Sequence, residues 1–124
     1  MNLKKLFRRP AILLVTLYAK TIYEQGVRAA EQRWMNTKPE NRRTIYLVED
    51  PFRPNRLTTM DKAQFKAGKQ VFGYAARLLT MNTLKAECFY YTANKYGYDG
   101  IGEEEKEIRR RAFIKDRLRT AKLL

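Results

Sequence analysis

The chain has 124 residues, with 26 Lys and Arg against 13 Asp and Glu, and a formal net charge of +13. That length suits one domain around one core, and its 44% hydrophobic and 12% aromatic residues argue for packing rather than disorder. With no histidine and one cysteine, Cys88, an intramolecular disulfide is excluded, and metal-dependent or histidine-based chemistry is not expected.

Residues 1–9 form a basic leader in which Lys4, Lys5, Arg8 and Arg9 crowd around Leu3, Leu6 and Phe7. It reads either as a solvated terminus or as an arm for an acidic partner. From Pro10 to Met35 runs the longest stretch of helical periodicity. Ile12, Val15, Ala19, Ile22, Tyr23, Gly26, Ala30 and Trp34 recur mostly at steps of three and four, which sets them along one side of a helix. Pro10 suits the first turn, whose N–H groups have no intrahelical partner. Basic residues before the apolar run 11–15 resemble a secretion signal. That run falls far short of the ~20 residues that span a bilayer, and Lys20, Glu24 and Arg28 follow at helical spacing, so the segment is read as an amphipathic helix of the mature protein.

Asn36 to Arg42 is a loop, because the residue before Pro39 avoids helical geometry. Arg43 to Asp50 is rich in β-branched and aromatic residues and reads as a strand. Pro51, Pro54 and Asn55 supply turn chemistry, and Leu57 to Met60 is expected to return antiparallel. Thr59 or Asp61 then caps a helix from Lys62 to Leu79, whose apolar members are Phe65, Val71, Phe72, Ala75, Ala76, Leu78 and Leu79. Gly68 and Gly73 weaken it by about 1 kcal/mol each relative to alanine. Thr80, Asn82 and Thr83 interrupt the pattern, and a helical turn over 84–87 leads into a third strand, Cys88 to Thr92. Pairing of that strand with Ile45 to Val48 makes a small antiparallel sheet with aromatic residues on both faces.

Ala93 to Gly102 is a loop by composition. The last helix starts near Glu103 with acids in its first turn and bases at its end, as the helix dipole favours. Glu105 with Arg109 and Glu107 with Arg111 add i,i+4 pairs. Ile114, Leu118 and Ala121 share a side and Phe113 points well away, so no clean apolar stripe is expected. Arg111, Lys115, Arg119 and Lys122 form a basic row instead. Such a helix bridges solvent or is completed by a partner.

Phe7-Arg8-Arg9-Pro10 before an apolar helix, Cys88-Phe89-Tyr90-Tyr91-Thr92, and Arg110-Arg111-Ala112-Phe113-Ile114 together resemble segments of small basic proteins of crAss-like and related tailed phages of Bacteroidetes hosts. The resemblance implies a phage protein, such as a minor or auxiliary head component. It transfers no contact residue.

The expected fold is α+β: a long N-terminal helix and a middle helix on a small antiparallel sheet, with a basic C-terminal helix. In domain terms this is a basic arm over 1–9, a compact core over 10–102 and the basic helix over 103–124. The expected function is non-enzymatic: a virion component, otherwise a cytoplasmic one, whose partners are capsid or other virion proteins, or DNA or RNA. The residues expected to meet the partner are Lys4, Lys5, Arg8, Arg9, Arg42, Arg43, Arg111, Lys115, Arg119 and Lys122, with Arg53 and Arg56 adding to the positive surface. A non-sequence-specific nucleic-acid-binding protein of the host cell or of a ribonucleoprotein particle is the alternative. Tyr90, Tyr91, Tyr96 and Tyr98 beside basic residues fit core packing better than base stacking. No cofactor or small-molecule substrate is expected. A membrane is not among the expected partners, although Lys4, Lys5, Arg8 and Arg9 with the first helix supply the elements of a membrane-surface reading.

Overall fold

The computed structural model describes residues 3–50, 52–53, 55–72 and 80–123, with the side chains of 3–6 and 69–72 outside that description. The first helix, α1, runs Leu3–Asn36, a length of about 51 Å. It begins a full two turns before Pro10, so the expected basic arm is, from Leu3 on, the start of this helix. Pro10 sits inside it, where a proline forfeits one backbone hydrogen bond and crowds the carbonyl four residues back. The turn around it is tied down from outside: Arg8 Nη2 donates to the Leu123 carbonyl at 3.3 Å.

The other end of α1 is closed by its own sequence neighbours. Arg42 Nε donates to the Thr37 carbonyl and Arg42 Nη2 to that of Met35, both at 3.1 Å, while the guanidinium lies 4.4 Å above the Trp34 ring. The last carbonyls of a helix have no partner within it, and an arginine reaching back satisfies them. A short 3-10 turn, Pro39–Asn41, carries the chain around this corner.

Three strands follow the expected hairpin. β1 (Tyr46–Glu49) and β2 (Leu57–Met60) pair antiparallel in the register Tyr46 to Met60 and Glu49 to Leu57. In their connection Asn55 takes the left-handed backbone conformation, φ 63°, which asparagine tolerates better than most residues. β3 (Tyr90–Tyr91) adds on the other side of β1, giving the order β2-β1-β3. It is shorter than the five residues expected. Hydrogen bonds nonetheless run on past its ends, from Phe89 N to the Leu47 carbonyl and from Thr92 N to that of Ile45.

α2 (Lys62–Phe72) starts on a reciprocal cap: Gln64 N donates to Asp61 Oδ1 at 2.8 Å and Asp61 N to Gln64 Oε1 at 3.0 Å. Asp61 is thus the cap, and Thr59 is a strand residue. The expected continuation to Leu79, with Gly73, Ala75, Ala76, Leu78 and Leu79, lies outside the described residues. α3 (Met81–Glu87) is capped by Thr80, whose hydroxyl accepts from Thr83 N at 3.1 Å. α4 (Glu103–Thr120) opens with Glu103, Glu104 and Glu105.

Alternation along β1 sends side chains to two helical layers. Ile45 and Leu47, with Tyr90, face α1 at Ala30, Val27 and Trp34. Tyr46, on the other side, meets Phe65 of α2, Leu84 of α3 and Cys88. Aromatic residues occupy both sheet faces, as the sequence suggests. A third cluster joins α1 to α4 through Ala19, Tyr23 and Phe113. Phe113 is fully buried, 5.1 Å edge-on from Phe89 and 5.9 Å from Tyr23. The expectation that it points away from the packed side is therefore overturned. The side of α4 that faces the core carries Phe113, with the Arg117 guanidinium 4.8 Å from its ring.

Candidate binding surface

α1 and α4 lie side by side and antiparallel. The Tyr23 hydroxyl donates to the Phe89 carbonyl at 2.7 Å and lies 3.3 Å from that of Lys106. Glu24 reaches Arg110 at 3.5 Å, and Arg8 meets Leu123. The start of α1 therefore adjoins the end of α4. The charge of both segments is one-sided: no Asp or Glu precedes Glu24, and from 112 to 123 the acid Asp116 stands against Lys115, Arg117, Arg119 and Lys122.

Arg117 brings in a third element. It is buried against the Phe113 ring at 4.8 Å. Its Nη1 donates to Asn55 Oδ1 at 3.2 Å and its Nη2 to Glu49 Oε1 at 3.1 Å. These bonds dock the β1–β2 turn on α4, and that turn carries the exposed Arg53 and Arg56. A cavity of about 250 Å³ between Val15, Tyr18, Ala19, Ile22, Asn55, Arg117, Thr120 and Ala121 marks where the three elements meet. Arg8, Arg9, Arg53, Arg56, Lys115, Arg119 and Lys122 are all exposed. Among the described residues, no ion pair involves any of them.

The first half of α4 is different. Lys106 pairs with Glu103, Arg109 with Glu105, and Arg110 and Arg111 both with Glu107. The hydrogen bond from Arg110 leads the effects that hold the Glu107 carboxyl below its usual range, and Arg111 adds to them. Arg111 thus belongs to a locally neutral stretch, although its side chain is 77% exposed.

The expected residues therefore divide. Arg8, Arg9, Lys115, Arg119 and Lys122 belong to the two segments that meet at one end of the molecule. Arg42 is committed to the α1 terminus and Trp34, about 40 Å away along the helix. Arg43 is exposed near that far end, beside Thr44, Tyr46 and Lys62. The side chains of Lys4 and Lys5 lie outside the described residues. The contribution of Arg53 and Arg56 depends on Arg117 reaching the turn across 62 residues of sequence, for which the local pattern holds no signal.

The tyrosines also separate. Tyr90 is buried and its hydroxyl donates to Glu31; Tyr91 packs under Arg109 and Lys85, at 5.3 and 5.2 Å. Tyr96 and Tyr98 are exposed on a loop held by Asn94, whose Oδ1 accepts from both of their backbone N–H groups.

Cys88 is buried, and that burial pushes its thiol up, against the opposing pull of Arg109. A thiol so placed is a small hydrophobe rather than a nucleophile. Among the described residues, no group of three or more Cys, Asp or Glu could hold a metal ion. Comparison of the chain with family models, with curated proteins and with solved structures gives no match.

Proposed function

We propose that this chain is a non-enzymatic structural component of a large assembly, in the terms of its sequence resemblance a minor or auxiliary part of a phage particle. Its cationic end holds an acidic capsid surface or packaged DNA. The observation that carries this reading is the convergence of α1, the β1–β2 turn and the end of α4, tied by the Arg8 and Arg117 hydrogen bonds. Adhesion of this kind uses many contacts, each exposed pair contributing up to about 1 kcal/mol, and arginine suits it because its fork grips phosphate and carboxylate alike.

Two measurements test the reading. A protein inventory of purified particles is expected to contain the chain at a fixed copy ratio, and its absence from them removes the assembly role. Titration with duplex DNA at increasing salt decides the partner. A DNA-directed end gives a log-log slope of about −0.9 per phosphate neutralised. Substituting Arg53, Arg56 and Arg119 by alanine makes that slope shallower by about 1 for each phosphate that the variant no longer grips. No binding at low salt leaves an acidic protein face as the partner. DNA or RNA binding combined with absence from particles favours the alternative, a nucleic-acid-binding protein of the host cell.

A further inference from the structure

The first half of α1 carries a second apolar face that the body does not cover. Ala19, Tyr23 and Ala30 are buried on the core side. At 100° per residue, Phe7, Leu14 and Tyr18 fall within about 40° of one another on the opposite side, with Leu17 and Leu13 alongside. Phe7 is 66% exposed, Leu14 67% and Tyr18 61%, and Leu13 and Leu17 are both more than half exposed. Isolated exposed apolar side chains are ordinary, whereas a contiguous row of this size marks an interaction site. From Phe7 to Tyr18 the ridge is about 16 Å long.

We propose that this ridge docks on an anionic lipid bilayer, with α1 lying in the plane of the interface. Charge selects that occupant. Arg9 and Lys20 fall beside Leu13 at one edge of this exposed face, and no acid occurs before Glu24. A second copy of the chain would bring the same basic edge and another +13 against it, and like charges across an interface oppose association. A bilayer with anionic headgroups answers both features: the acyl boundary takes phenylalanine and leucine, and the phosphates take the guanidinium and ammonium groups. Tyr18 suits the headgroup level, where an apolar ring with a polar tip is favoured. Among the described residues, no helix is long and apolar enough to cross a membrane, so α1 rests on the bilayer. The ridge shares Arg9 with the cationic end, but its apolar side chains are its own and are what the leucine variant below removes, so this contact stands or falls apart from the assembly role.

The test is cosedimentation of the full chain with vesicles of phosphatidylcholine alone and of phosphatidylcholine mixed with phosphatidylglycerol. The wild-type chain is expected to bind the mixed vesicles and to bind the neutral ones weakly. Leu14→Gln with Leu17→Gln lowers the partition onto mixed vesicles by about tenfold or more, since apolar area buried at the interface sets the affinity. Circular dichroism and the thermal midpoint stay at the wild-type values, because both leucines are exposed. Three outcomes overturn the proposal. The double variant binds mixed vesicles as tightly as the wild type, which reduces the contact to charge. The wild type binds neither vesicle, which leaves the ridge to a protein. Sedimentation equilibrium shows a wild-type dimer that the double substitution dissolves, which gives the ridge to a second copy.

Discussion

Tyr23 concentrates the chemistry of the α1–α4 contact in one side chain. Its ring packs on Phe113 while its hydroxyl serves carbonyls of Phe89 and Lys106. Burial pushes its ionisation up to about 12, with Arg109 opposing and Cys88 adding. A phenol whose folded value lies above its unfolded value of 10 stabilises the fold fully below about pH 10, and that contribution is lost as pH rises toward 12. At about 1.4 kcal/mol per unit it amounts to roughly 2 to 3 kcal/mol. Tyr23→Phe is therefore expected to lose about 1 kcal/mol at neutral pH, from the broken hydrogen bonds, and to flatten the decline in stability between pH 10 and 12. Denaturant unfolding at stepped pH measures both effects; a wild-type-like alkaline decline in the variant would contradict them. The companion residue, Phe113, was illegible in the sequence. One turn on, Arg117 registers as polar in the sequence, whereas in the fold it is buried with its guanidinium 4.8 Å from the Phe113 ring.

Among the elements, α1 and the hairpin are the parts most readable beforehand, because each announces itself locally: a repeat of three and four in one, β-branched runs around turn residues in the other. Gly26 shows how the two fit. A Cβ at this position would stand 2.8 Å from Leu47 Cδ1 and 2.9 Å from Cδ2, so the helix crosses the sheet where it has no side chain. Gly26→Ala alone is expected to lower the unfolding free energy by about 1 kcal/mol, overpacking outweighing the gain in helix propensity. Placed on a Leu47→Ala background, which itself loses about 2 to 5 kcal/mol, the same Gly26→Ala change becomes stabilising. The four-variant cycle reads the coupling directly, and additive values would refute the close approach. What local pattern could not show was the extent of the elements. α1 starts at Leu3 and carries Pro10 inside it, and β3 is cut to two residues.

For the molecule as a whole, the net charge is divided unevenly. α4 from 103 to 111 holds four acids against four bases, while the end where three elements meet holds a large excess of cations. Composition announced the excess but not its location, since convergence depends on contacts such as Arg117 to Asn55 that join distant parts of the chain. Concentrated like charge opposes compaction, and exposed ion pairs such as Arg111 to Glu107 add little to offset it. Raising sodium chloride from low to physiological ionic strength is therefore expected to raise the thermal midpoint by a few degrees, as the Debye length shrinks to about 8 Å. A midpoint that falls with salt would mean that the internal pairs dominate.

The antiparallel union of α1 with α4 also bears on how the polypeptide is made. α1 leaves the ribosome before α4, yet Ala19 and Tyr23 are sheltered by Phe113, which is translated much later. Until that late segment emerges, the early helix waits with apolar surface showing on both sides, a state prone to aggregation. A nascent chain stalled short of Phe113 is thus the form in which this protein most needs a chaperone.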